Sequence, residues 1–89
     1  MFYVYLLRSK RFGRFYIGST DDLRERFRRH NAGKVPSTRP YIPYELIYYE
    51  AYNSKRDART REIELKKHGQ QKEQLLSRLA DSLQSGLVA

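Results

Sequence analysis

Phe2-Tyr3-Val4-Tyr5-Leu6-Leu7 and Phe15-Tyr16-Ile17-Gly18-Ser19-Thr20 are rich in aromatic and β-branched residues, and both read as strands. The link between them, Arg8 to Arg14, is polar and contains Gly13, so the two segments can fold back as an antiparallel hairpin. Alternation sends Tyr3 and Tyr5 to one face of the first strand and Phe2, Val4 and Leu6 to the other. Tyr16 can then stand near Tyr5 across the pair. Two phenols brought together on a hairpin suit chemistry as well as packing. The bland alternative is that tyrosine is simply a good strand residue.

The remaining segments have their own boundaries. The stretch Ser19 to Gly33 reads as a helix with both ends marked, with Thr20 as expected N-cap, Asp21 and Asp22 favoured by the helix dipole, and Gly33 as the stop. Leu23, Arg26, Phe27 and His30 fall at i, i+3, i+4 and i+7, so they share the face that should meet the sheet. A loop with three prolines follows, from Lys34 to Tyr44. Its Lys34, Ser37, Thr38 and Arg39 suit phosphate oxygens; a rigid connector is the plainer reading. Glu45 to Tyr52 is expected as a third strand. A second helix should start at Ser54 and stop at Gly69, with Ala58, Glu62 and Leu65 inward and Glu64 facing water. A last amphipathic helix carries Leu75, Leu76, Leu79 and Leu83. One domain over residues 1–83 and a frayed tail over 84–89 are expected.

Composition narrows the partners. Eighteen Lys and Arg face ten Asp and Glu, a formal charge of +8 on 89 residues, and most of the cations are arginine. Such a field favours a polyanion, and the guanidinium fork matches phosphate. Nucleic acid is therefore the expected partner, with a protein partner as a further option. No stretch suits a bilayer span. The absence of cysteine excludes disulfide and zinc-thiolate staples and fits a reducing, cytoplasmic compartment.

Arg26, His30 and Glu62 are polar residues on faces that should be apolar. Buried charge is costly unless it is paired or used. One reading is a structural Arg26–Glu62 ion pair beside a hydrogen-bonded His30. The other is a site shared with Tyr5 and Tyr16.

The motifs in order resemble the GIY-YIG nuclease domain, in its small stand-alone bacterial form related to the N-terminal domain of the excision-repair nuclease subunit. The second half-motif, Tyr16-Ile17-Gly18-Ser19-Thr20, is intact, while the first reads Tyr3-Val4-Tyr5 and keeps only its tyrosine. Leu23-Arg24-Glu25-Arg26 and Arg29-His30-Asn31 match the family's helix, and Ala58-Arg59-Thr60-Arg61-Glu62 matches the segment ending in its metal-binding glutamate. His30-Asn31-Ala32-Gly33-Lys34, Thr38-Arg39 and Leu46-Ile47-Tyr48-Tyr49-Glu50 match the small subgroup.

The resemblance implies an α+β fold, a three-stranded antiparallel sheet flanked by about three helices. It also implies phosphodiester hydrolysis in DNA with one Mg²⁺ or Mn²⁺ held by Glu62, directed by substrate shape and linked to repair or recombination. In that scheme Tyr5 is the general base assisted by Tyr16, with its pKa lowered by the cation and Arg26. Arg26 holds the non-bridging oxygens, and His30 orients phosphate or water or donates to an oxygen. The competing reading is a nucleic-acid-binding module of weak or absent turnover within a larger complex.

Overall fold

The computed structural model describes residues 1–88, with side chains up to Gln84. Ala89, the end of the tail expected to fray, lies outside the described residues. Three strands form one antiparallel sheet: β1 (Phe2–Ser9), β2 (Phe15–Thr20) and β3 (Tyr44–Tyr52), in the order β2-β1-β3. The central place falls to the most apolar strand, and Val4 through Leu7 are all buried. Covering each of these side chains contributes about 2 kcal/mol. Gly13 turns the hairpin at φ +69°, a backbone region open to glycine. A bulge in β3 opposite Leu6 and Leu7 leaves Ile47 unpaired, so Ile47 and Tyr48 both turn to the same apolar cluster.

The two faces of the sheet carry different layers. On one, Tyr5 and Leu7 pack with Tyr44, Tyr16, Leu23 and Phe27 under α1 (Leu23–Asn31) and the loop after it. On the other, Val4, Leu6 and Ile17 meet Ala58, Leu65 and Leu75 from α2 (Lys55–Lys67) and α3 (Gly69–Arg78). The N-cap of α1 is Asp22 rather than Thr20. The Asp22 carboxylate accepts the Glu25 N–H at 3.1 Å, and Thr20 Oγ1 instead accepts the Asp22 N–H, which steadies the lead-in. Past Ala32, Gly33 takes φ +74°, and its N–H and that of Lys34 bond the carbonyls of His30 and Arg29. This double bond pattern ends the helix where the sequence places the stop. Ser54 caps α2 as expected, accepting the Asp57 N–H.

The expected last helix is two. α3 closes at Leu79, and α4 (Ala80–Val88) sets off beside β3, giving four α-helices instead of about three. The bend has a local cause. Leu75, Leu76 and Leu79 belong to the core on the α2 face, whereas the Leu83 carbonyl accepts from Arg8 at 2.9 Å. Arg8 is itself buried and paired with Glu45 at 2.6 Å, so the chain must turn to reach it. Among the described residues no helix is long and apolar enough to cross a membrane.

Candidate active site

Position 18 decides how the two phenols sit. Tyr5 pairs with Gly18 across the hairpin, and Tyr16 stands diagonally, its ring centroid 6.3 Å from that of Tyr5. A Cβ on Gly18 would lie 2.5 Å from Tyr5 Oη. The glycine of the half-motif is thus the space into which the Tyr5 phenol folds. Tyr5 is 1 % exposed.

Behind Tyr5 lies His30, wholly buried at the end of α1. Tyr5 Oη stands 2.8 Å from His30 Nε2, and His30 Nδ1 is 2.8 Å from Thr38 Oγ1. Thr38 Oγ1 donates to the Val35 carbonyl at 3.3 Å, so it accepts from His30 Nδ1–H. That assignment leaves Nε2 as the acceptor of the Tyr5 hydroxyl proton. Burial, with Arg26 adding to it, depresses the imidazole pKa to about 4, so the ring is neutral. Both His30 nitrogens are engaged inside the protein. The expected direct contact of His30 with phosphate or water has no free nitrogen to make it.

The same chain of bonds corrects Thr38. It is 1 % exposed and serves the histidine, so it does not stand on the phosphate-facing surface expected for it. Lys34, Ser37 and Arg39 are exposed on the same loop, and Arg39 Nε ties back to the Gly33 carbonyl.

Arg26 lies beside both phenols, and their proximity, that of Tyr5 first, raises its own pKa. The Tyr5 phenol itself lies above its ordinary value, and the expected lowering calls for the cation as well as Arg26. Burial pushes it up to about 12; Arg26 pulls against this, while Tyr16 and Glu62 add to it. Desolvation outweighs a single guanidinium here.

Glu62 arrives from the other face of the sheet. It is buried on α2 as the helical period requires, one turn beyond Ala58. The expected structural pair with Arg26 is not among the ion pairs of the described residues. Instead Glu62 Oε1 accepts from Ser19 Oγ at 2.6 Å and from Arg59 at 3.2 Å, and Oε2 from Lys66 at 2.9 Å. Burial alone would raise its pKa, but Ser19, Lys66 and Arg59 hold the carboxyl below its usual range. Lys66 also lies 5.6 Å from the centre of the Tyr16 ring. One ammonium therefore touches the carboxylate of one layer and a phenol of the other, around the edge strand β2.

An open groove of about 850 Å³ adjoins this edge. Arg26, Lys55, Arg56 and Arg59 line it with the acid Asp21 and the hydroxyl of Ser19, so its net charge is positive. Ser19 and Arg59 are shared between the groove and Glu62. Arg59 and Lys66, not singled out as site residues from the sequence, pair with Glu62 here; their spacing of three before and four after Glu62 was the available signal. Gly18 and Ser19 were also missed as site residues, although both stand inside the intact half-motif. The hairpin tip adds Arg11 and Arg14 beside exposed Phe12 and Tyr41, with Arg14 donating to the Tyr41 hydroxyl.

Residues 1–74 match the model of the GIY-YIG catalytic domain. The chain is 43% identical over 81 residues to a UPF0213 protein of Streptococcus pneumoniae, covering 89% of this chain and 81% of that one. It is 40% identical over 79 residues to the UPF0213 protein CPE1444 of Clostridium perfringens, covering 86% and 84%. The solution NMR structure of the UPF0213 protein BH0048 from Bacillus halodurans is similar at a TM-score of 0.54 and 39% identity, over 86% of this chain and 84% of that one.

Proposed function

Since the chain belongs to the GIY-YIG catalytic-domain family, whose nucleases act on nucleic acid, we propose that it is an endonuclease that hydrolyses phosphodiester bonds in DNA with one divalent cation. The observation that carries this reading is the meeting of Tyr5, Tyr16 and Arg26 with Glu62 around β2, bridged by the Lys66 ammonium.

The donor set suits a hard cation. Glu62 is ionised and offers carboxylate oxygen, with the Ser19 hydroxyl beside it. No group of three or more His, Cys, Asp or Glu able to hold a metal occurs among the described residues. Mg²⁺ or Mn²⁺, which keep water and take phosphate oxygens as ligands, fit such a site; a cation needing a closed protein cage does not. When bound, the cation supplies charge relief on the phosphoryl oxygens.

The chain's own residues supply the rest. Arg26, on the groove wall, is placed to hold a non-bridging oxygen as negative charge builds. Tyr5 is the candidate general base. Its hydroxyl is hydrogen-bonded to His30 Nε2 at 2.8 Å, so the neutral imidazole orients the phenol. Arg26 favours the phenolate, while Tyr16, bordering the same space, works against it. Lys34, Ser37 and Arg39 are proposed as backbone contacts along the DNA.

Single-stranded, duplex and branched DNA incubated with Mg²⁺, Mn²⁺ or chelator test the reading. Metal-dependent nicking is expected, with a preference among shapes. Arg26→Ala and Glu62→Ala should each lower cleavage by about 10²-fold or more while binding persists. Unaltered turnover by the Glu62→Ala protein would sink the metal assignment. A second reading is a nucleic-acid-binding module without turnover. The engagement of Glu62 by two cations and a hydroxyl favours it. Binding without metal-dependent nicking on every substrate would establish that module.

A further inference from the structure

We infer that Lys66 is a built-in competitor of the divalent cation at Glu62, holding the carboxylate until metal displaces it. This rests on the nuclease reading of the site. Of the two carboxylate oxygens, Oε1 is taken by Ser19 and Arg59, and Oε2 by Lys66 alone. Oε2 is thus the oxygen with the fewest partners to lose. A metal on Oε2 would sit at about 2.0–2.1 Å, as Mg²⁺ ligands do. The ammonium is 2.9 Å from that oxygen, so it neutralises the carboxylate charge and repels a second cation there.

The pairing is built into the helix. Glu62 and Lys66 are at i and i+4 with the acid nearer the N-terminus, the favourable orientation. The Tyr16 ring gives the ammonium a second partner at 5.6 Å. The Glu62 side chain is 8% exposed and that of Lys66 45%, so the acid stays fixed while the lysine can swing out on its flexible stem. A docked phosphate would offer the displaced ammonium a new anion. Metal and DNA should therefore bind cooperatively, each removing part of the other's cost.

The test is Mn²⁺ titration of the whole protein without DNA, read as paramagnetic broadening of the Ser19 and Glu62 backbone amides. Removing the lysine charge with Lys66→Met or Lys66→Gln should tighten the Mn²⁺ dissociation constant about threefold or more. Lys66→Arg, which keeps the charge, should stay near wild type. Arg59→Ala should change it less than about twofold, because that longer pair is the more exposed one. Unchanged or weaker Mn²⁺ binding in both neutral variants would overturn the inference. Glu62→Ala separates the two layers of the argument: it should abolish the local broadening. If it does so while the neutral Lys66 variants bind as wild type, the competitor fails and the metal site stands. Broadening that survives Glu62→Ala overturns both.

Discussion

A methyl group at position 18 would collide with the Tyr5 phenol at 2.5 Å from Oη and 2.6 Å from Cζ. The ring has no room to retreat, being backed by His30. Gly18→Ala should therefore cost about 1–3 kcal/mol in denaturant unfolding and shift Tyr5 enough to depress cleavage. His30 supports a second prediction at this scale. Its folded pKa of about 4 lies below the ordinary 6.5, so the unfolded chain binds the extra proton between these values. The contribution is fully present above pH 6.5 and is lost as pH falls towards 4. It amounts to no more than about 3 kcal/mol. Melting temperatures across this window should fall with pH, and His30→Gln should flatten the slope while lowering stability at neutral pH. An unchanged slope in that variant would place the acid sensitivity elsewhere.

At the scale of elements, α1 delivers both Arg26 and His30, so the device that starts it matters to the site. Asp22 is that device, through the Glu25 N–H. Asp22→Ala should cost about 1 kcal/mol, and Thr20→Ala, which removes only the bond to the lead-in, should cost less. Chemical denaturation of the two variants checks the order; the reverse order would return the cap to Thr20. The β-hairpin and α2 hold the other half. β2 shows Tyr16 and Gly18 to one layer and Ser19 to the other, by simple alternation. An edge strand can present two faces of a sheet to one hollow, and a central strand cannot.

Over the whole molecule, the charge is used unevenly. Among the described residues the ion pairs engage Arg8, Arg28, Arg59, Arg61 and Lys66, leaving most of the eighteen cations without a carboxylate partner. Lys10, Arg11, Arg14, Lys34 and Arg39 are among the unpaired ones, at the hairpin tip and in the loop after α1. DNA binding should fall steeply with salt. Lys34→Ala and Arg39→Ala should each reduce the slope of log K against log salt by about 1 if each holds one phosphate. Titrations at several salt concentrations measure it, and slopes equal to wild type would remove that loop from the interface.

The strands, the stop at Gly33, the inward turn of Glu62 and the basic bias are all local properties, and the sequence alone carries them. Alternation, helical period, glycine freedom and net charge need no knowledge of the neighbours. The pairing partners of polar side chains are another matter. Arg26 and Glu62 stand on opposite layers, and only the packed sheet sends one to the phenols and the other to Ser19 and Lys66. Thr38 reads as a phosphate contact from its loop composition, yet the fold buries it to satisfy His30 Nδ1. The Tyr5 pKa follows the same rule, since desolvation depends on what covers the ring. Sequence fixes which face a residue takes; tertiary structure decides what it meets there, because burial and hydrogen bonding are set by distant segments.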